Sequence, residues 1–489
     1  MSETTQQERT TDQALGQVSG AADSTLTAEG YSKSLSRRHV TMIAMGGAIG
    51  VGLFMGAGGR LHSTGPALIF SYAIAGVIAY FLMRALGELI MYRQTSGSFV
   101  SYAGELFGSK GAYLSGWMYF LNWGMTGIAE LIAIGLYFQY FFPNVPVEVT
   151  AVAALVLLVA VNLLSVKAFG EFEFWASVLK VGAILIFLVV GTVLVVMNAQ
   201  VGTGHATPAN LFAGDGGMFP HGALVMVLVL NAVIFAYNAI ELVGITAGEM
   251  ENPQREVPKA IRAVVIRIVV FYVGSVSLLA MILPSDQYKA GTSPFVTVFG
   301  QMGLPWMGDA MNFIVITAAL SSTNSGLYSI GRIFRTMANN GHAPKWLTKM
   351  SSRHVPYAAI LAIGGFYLVG ILLNVWLGGS NAFDLALNTA SIGVIFTWGS
   401  IFACQIMLRK KKGKVSSLLM PGAPWTSWAG LIALLVITVL IGMDTMKNAD
   451  GSVFYLGAWT LGTVPFFALL LWLGWMKVRN NKPKNELYS

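Results

Sequence analysis

Stretches of about 20 apolar residues recur along the chain, separated by short polar or glycine-rich connections. They fall at 40–60, 66–90, 112–142, 149–166, 174–198, 222–247, 262–284, 307–330, 356–377, 383–408, 427–446 and 453–477. Twenty residues of helix rise about 30 Å, the thickness of bilayer hydrocarbon. The pattern therefore predicts an all-α integral membrane fold of twelve transmembrane helices, and an even number of crossings puts both termini on one side. Residues 1–36 break the pattern. They are rich in Ser, Thr, Gln, Gly and Glu with no apolar run, which predicts a disordered tail. They lack the basic start and apolar core of a signal peptide. No connection is long enough for a soluble domain: the longest outer one, 199–221, is glycine-rich, and the inner segment 331–355 is basic and amphipathic. Whatever the protein does, it is expected to do inside the membrane.

Composition agrees with this. Hydrophobic residues make up 55% and charged residues 11% of 489, and mean hydropathy is +0.65, whereas soluble domains carry about 25% charge. A large soluble enzyme is excluded, and the single cysteine, Cys404, permits no internal disulfide. The net charge of +8 reads as topology rather than as affinity for nucleic acid. Most Lys and Arg lie in the tails, at inner span ends or in even-numbered connections, while Arg60, Lys289 and Lys447 fall in odd-numbered ones. The bias puts both termini in the cytoplasm, and the run Arg409, Lys410, Lys411, Lys412, Lys414 reads as a topology anchor, for which any contact with membrane lipid would be unspecific. No HExxH, DDxxD, GxSxG or Walker A pattern is present, and no two histidines stand at metal-ligand spacing. No enzyme activity, metal or cofactor is expected, and energy has to come from an ion gradient.

The first span contains Gly46-Gly47-Ala48-Ile49-Gly50-Val51-Gly52. Each glycine weakens a helix by about 1 kcal/mol relative to alanine, and unwound backbone in a bilayer is tolerated only where it is buried or lines a cavity. The free N–H groups of an interrupted helix suit a carboxylate; the alternative is close helix packing through small residues. The sixth span carries Phe235-Ala236-Tyr237-Asn238-Ala239-Ile240-Glu241. Glu241 there, Glu130 in the third span and Lys180 in the fifth are ionisable groups within hydrocarbon, each a candidate for substrate binding or proton transfer. Glu241 and Glu130 have as alternatives a silent pair or an interhelical hydrogen bond, and Lys180 could snorkel to the cytoplasmic face. Ser321-Ser322-Thr323-Asn324-Ser325-Gly326 could line a polar path or bind neighbouring helices. Arg84 and Glu88, four apart at the inner end of the second span, predict a local ion pair or gate. The segment Gly248–Ile261, with two prolines and alternating charge, reads as a structured loop.

Taken in order, Met42–Gly50, Arg84–Leu89, Ile240–Gly244, Glu249–Ile261 and Ser321–Gly326 resemble the amino acid permeases of the amino acid–polyamine–organocation superfamily over about 31–478. The resemblance implies two inverted five-helix repeats, with two further helices behind them. The corresponding division is a tail at 1–36, a ten-helix transport core at 37–410, and helices eleven and twelve with the cytoplasmic C-terminal tail at 411–489. It implies that Ala48, Ile49, Gly50, Val51 and Gly52 hold a substrate carboxylate. Phe235, Ala236 and Tyr237 would meet its ammonium, with Asn238 as a further polar group and Glu130 in the side-chain pocket. Glu130, Lys180 and Glu241 would carry proton coupling, and Arg84, Glu88, Ser321, Ser322 and Asn324 would serve as gate or scaffold. Ala239 stands where many relatives have glycine, which argues against unwinding at that point. The passages Ser96–Tyr102, Gly116–Phe120, His354–Tyr357 and Pro421–Trp428 most resemble permeases for L-asparagine. The implied activity is proton symport of a neutral polar amino acid by alternating access. The rival substrates are 4-aminobutyrate and D-serine or glycine; a sensor that does not transport is the other alternative.

Overall fold

A computed structural model describes residues 31, 36, 38, 39, 42, 46, 49–95, 97–213, 216–250, 252–289, 291–303, 305–377, 379–443, 446–447, 453–454 and 456–480. The described chain is mainly helical, with 3-10 turns, irregular connections and two small hairpins. In these, Gln200–Val201 pairs with Gly204–His205 and Met446–Lys447 with Val453–Phe454. The helices that begin the chain are α1 (Val51–Phe54), α2 (Gly56–Thr64), α3 (Leu68–Tyr92), α4 (Ser98–Phe107), α5 (Ser109–Gln139), α6 (Val147–Leu164) and α7 (Val166–Val196). Next come α8 (Ala223–Leu228), α9 (Leu230–Ala236), α10 (Leu242–Thr246), α11 (Pro253–Ile266), a π-helical stretch at Arg267–Gly274, α12 (Ser275–Ile282) and α13 (Pro294–Gly300). The last are α14 (Pro305–Asn339), α15 (Tyr357–Leu377), α16 (Gly379–Lys412), α17 (Trp425–Ile441) and α18 (Leu456–Val478). Among the described residues nine helical stretches are long and apolar enough to cross a membrane, and Ala223–Ala236 and Trp425–Ile441 are shorter apolar helices.

Local capping moved several boundaries away from the apolar windows. The Ser165 hydroxyl accepts from the Ala168 N–H at 3.0 Å, so α7 starts well before residue 174 and takes Lys167, Glu171 and Glu173 into the helix. The Asn252 side chain accepts from the Arg255 N–H at 3.4 Å, and Pro253 opens α11, as proline does at a first helical position. The stretch expected to be a loop is thus largely the start of a helix. α14 runs on to Asn339, and the short helices α4 and α13 carry too few apolar residues to register as spans. Tyr31, placed within the expected disordered tail, is buried, with the Arg332 and Arg335 guanidinium groups 5.3 and 4.9 Å from its ring centre.

α5 is the most enclosed of the candidate spans and α18 the least. α5 packs against α14 and α16, with its aromatic and apolar side chains in the main core. The basic end is tied together by ion pairs. Arg84 and Glu88 do not meet. Arg84 donates to the Leu419 carbonyl at 2.6 Å, and Glu88 takes two hydrogen bonds from Arg409, at 2.7 and 2.9 Å, with a third from the Met420 N–H at 2.7 Å. A bidentate guanidinium from another helix outcompetes a single turn of i,i+4 proximity. Glu105 on α4 holds Arg93 at 3.1 Å and Lys412 at 2.7 Å. Partial burial raises its pKa, but hydrogen bonds from Lys412 and Tyr92 and the charge of Arg93 hold it below the usual carboxylate range.

Candidate functional site

Two helix interruptions face each other in the middle of the fold. Gly50 is extended, with φ −127° and ψ −158°, and caps the four-residue α1. The N–H groups at the start of α1 lack intrahelical acceptors for geometric reasons. Opposite, the backbone from Tyr237 to Glu241 turns without helical bonding between α9 and α10. The Tyr237 and Asn238 N–H groups reach back only to Ile234 and Phe235. Ala239 does take part in this unwinding, with φ +73°. That left-handed backbone costs a non-glycine residue about 1–2 kcal/mol, and strain of this kind is held only where surrounding packing enforces it. The absence of glycine therefore did not preserve the helix.

Glycine sets the distance between the two breaks. A Cβ on Gly52 would lie 2.8 Å from the Ala236 Cα, and one on Gly50 would lie 2.6 Å from Glu130 Oε1 and 3.1 Å from Ser322 Oγ. A small polar cavity lies here, lined by Gly50, Gly52, Thr126, Glu130, Phe235, Ala236, Asn238, Ala239 and Ser322. Its accessible space of about 10 Å³ is room for one water, so an amino acid enters only if the walls part. Glu130 is buried with Oε2 unpartnered, and it faces the Ser322 hydroxyl and the Val51 N–H. It thus stands at the α1 break itself. Asn238 and Asn122 exchange two amide hydrogen bonds, each 3.1 Å. The Thr126 hydroxyl accepts from Asn238 at 3.3 Å and donates to Asn122 Oδ1 at 3.2 Å.

The remaining candidates sit around this cavity. Ile49 and Val51 are buried in the first span, and Ala48 lies outside the described residues. Tyr237 is absent from the lining. Its hydroxyl donates to the Tyr72 carbonyl at 2.9 Å, and its ring stacks on Tyr272 at 4.5 Å. Glu241 is fully buried, beside the indoles of Trp123 and Trp398. Lys180 does not snorkel. It is fully buried, donates to Ser321 Oγ at 2.8 Å and lies 3.9 Å from Glu173 Oε1. Ser321 donates to Glu173 at 2.5 Å, and Asn324 bridges Glu173 at 3.4 Å to Asn162 at 2.7 Å. Sequence reasoning missed Glu173, which is two helical turns from Lys180 on one face of α7. It also missed Asn122 and Thr126, neutral residues whose partner lies on a distant segment, and Arg267, buried in the π-helical stretch.

Residues 39–487 match the amino acid permease family. The chain belongs to that family. This permease is 50% identical to the L-asparagine permease of Salmonella typhimurium, over 92% of this chain and 90% of that one. It is 50% identical to the L-asparagine permease of Escherichia coli, over 94% and 91%, and 47% identical to that of Streptomyces coelicolor, over 92% and 91%. It is accordingly a multi-pass membrane protein that transports an amino acid.

Proposed function

We propose that the permease imports L-asparagine together with a proton, by alternating access. The observation that carries this reading is the pairing of two opposed helix breaks with a polar cavity that holds both a buried carboxyl and an amide pair. The N–H groups at Gly50–Gly52 receive the substrate carboxylate, and the carbonyl groups at Phe235–Tyr237 receive its ammonium. Asn238 reads the side-chain carboxamide, with Asn122 and Thr126 fixing its orientation, because an amide needs both a donor and an acceptor. Glu130 competes with the substrate carboxylate for the α1 N–H groups, so its protonation frees that end of the site. Glu241 and the Lys180–Glu173 pair are the other groups able to respond to the proton. Identity of 47–50% over 92–94% of the chain to proteins named for L-asparagine supports this substrate over 4-aminobutyrate, D-serine and glycine.

The same reading assigns twelve spans. Supporting it, Val51–Tyr92 is 42 residues long, enough for two crossings, and Gly65 at φ +73° followed by Pro66 turns the chain between them. The interrupted first and sixth spans open two sets of five, as an inverted repeat of helices one to ten would place them. The distribution of Lys and Arg supports cytoplasmic termini. The test is uptake of labelled L-asparagine into proteoliposomes against a panel of unlabelled amino acids. Competition should come foremost from asparagine, with 4-aminobutyrate and D-serine at least tenfold weaker. Equal competition across the panel contradicts the role given to the amide pair.

A further inference from the structure

A second concavity lies away from the helix breaks, at the end of the bundle that carries the basic residues. The amino end of α5, the carboxyl end of α14 with the turn that follows it, and the carboxyl end of α18 enclose about 640 Å³, the size of a pocket for a small organic ligand. Its floor is aromatic. Tyr113 and Trp117 line it, with Tyr113 packed against Trp475 at 5.3 Å and edge-on to His342 at 6.2 Å. Lys345 and Lys477 line it and are exposed, and no acidic side chain lines it among the described residues.

His342 supplies an independent observation. It lines the groove, is 3% exposed, and has its ring held by Nε2 against Ser109 Oγ at 2.5 Å. Its carbonyl accepts from Trp117 Nε1 at 3.3 Å. The other ring nitrogen, Nδ1, is buried without a partner, and a buried polar atom left in that condition is costly. Burial pulls the ring's pKa down to about 4, so the imidazole is neutral and offers a hydrogen bond, not a charge. Beyond the groove, α18 exposes Phe466, Leu469, Leu470 and Leu473 along the face that the membrane reading puts against lipid.

We propose that this groove binds an anionic phospholipid by its glycerophosphate headgroup. Lys345 and Lys477 take the phosphate, the His342 ring borders the headgroup, and the acyl chains lie along α18. Two cations, with no acid lining the groove among the described residues, favour a net negative headgroup over a zwitterionic one, and aromatic rings at this level suit the membrane interface. The inference rests on the membrane placement given above, not on the identity of the transported substrate.

The test is native mass spectrometry of the purified full-length permease, titrated with phosphatidylglycerol, with phosphatidylcholine of the same chains, and with inorganic phosphate. Phosphatidylglycerol should be retained at least several-fold better than phosphatidylcholine. The variant Lys345→Gln/Lys477→Gln should lose roughly tenfold in that retention, as expected for two phosphate contacts near a membrane surface. The control Lys167→Gln/Lys289→Gln, at two exposed lysines that do not line the groove, should lose none. Equal retention of the two lipids, or retention unchanged in the Lys345/Lys477 variant, overturns the proposal. Retention of inorganic phosphate without preference for the anionic lipid also overturns it, in favour of a soluble anion. Because the readout is lipid occupancy, absence of asparagine uptake leaves it unaffected.

Discussion

Replacing Gly52 by valine is expected to reduce asparagine uptake by about 10- to 100-fold. Even the first carbon added there would stand 2.8 Å from the Ala236 Cα and 3.2 Å from its nitrogen, and backbone atoms of a packed segment have no side-chain freedom with which to yield. Overpacking of this kind costs about 1–3 kcal/mol. The strain falls on the two segments that line the cavity, so it is paid in affinity at about 1.4 kcal/mol per tenfold. Gly182 on α7 has nothing within 4 Å of an added Cβ, and Gly182→Ala should leave uptake within twofold. Transport in proteoliposomes, with thermal stability of the detergent-purified protein as a companion, separates a damaged site from an unfolded protein. Wild-type uptake by Gly52→Val contradicts the close approach of the two breaks.

The second large effect is expected at the Lys180–Glu173 pair. Removing one partner of a buried ion pair leaves an uncompensated charge and costs about 3–5 kcal/mol. Lys180→Met and Glu173→Leu should each lower the melting temperature sharply, or prevent purification. The double variant removes both charges and should recover most of the stability, since buried pairs replaced together by apolar residues are often neutral or stabilising. It should still fail to concentrate asparagine under an inward proton gradient, although exchange of labelled for unlabelled substrate persists. A double variant with normal gradient-driven accumulation means the pair holds α7 to α14 and takes no part in coupling.

How much of this was legible beforehand follows from the range of each interaction. The glycine run predicted an interrupted first span because backbone cost is local. Glu130 and Lys180 stood out because a charge within hydrocarbon is rare. The same locality misled at Ala239, where packing from neighbouring segments enforces a backbone angle that the residue itself disfavours. Glu173 was lost because the charges at Lys167, Glu171 and Glu173 lowered the hydropathy of a window that Ser165 nonetheless caps into helix. Asn122 and Asn238 are 116 positions apart, and neither carries a mark of its partner. For Glu88, the nearby Arg84 was visible and Arg409, 321 positions away, was not.

The most direct measurement is accumulation of labelled L-asparagine in proteoliposomes with and without an inward proton gradient, for the wild-type chain and for Glu130→Gln. The wild type should concentrate asparagine only when the gradient is present. Glu130→Gln should equilibrate or exchange it without responding to the gradient. Wild-type uptake that is indifferent to the gradient would contradict proton coupling, and a normal gradient response from Glu130→Gln would remove Glu130 from it.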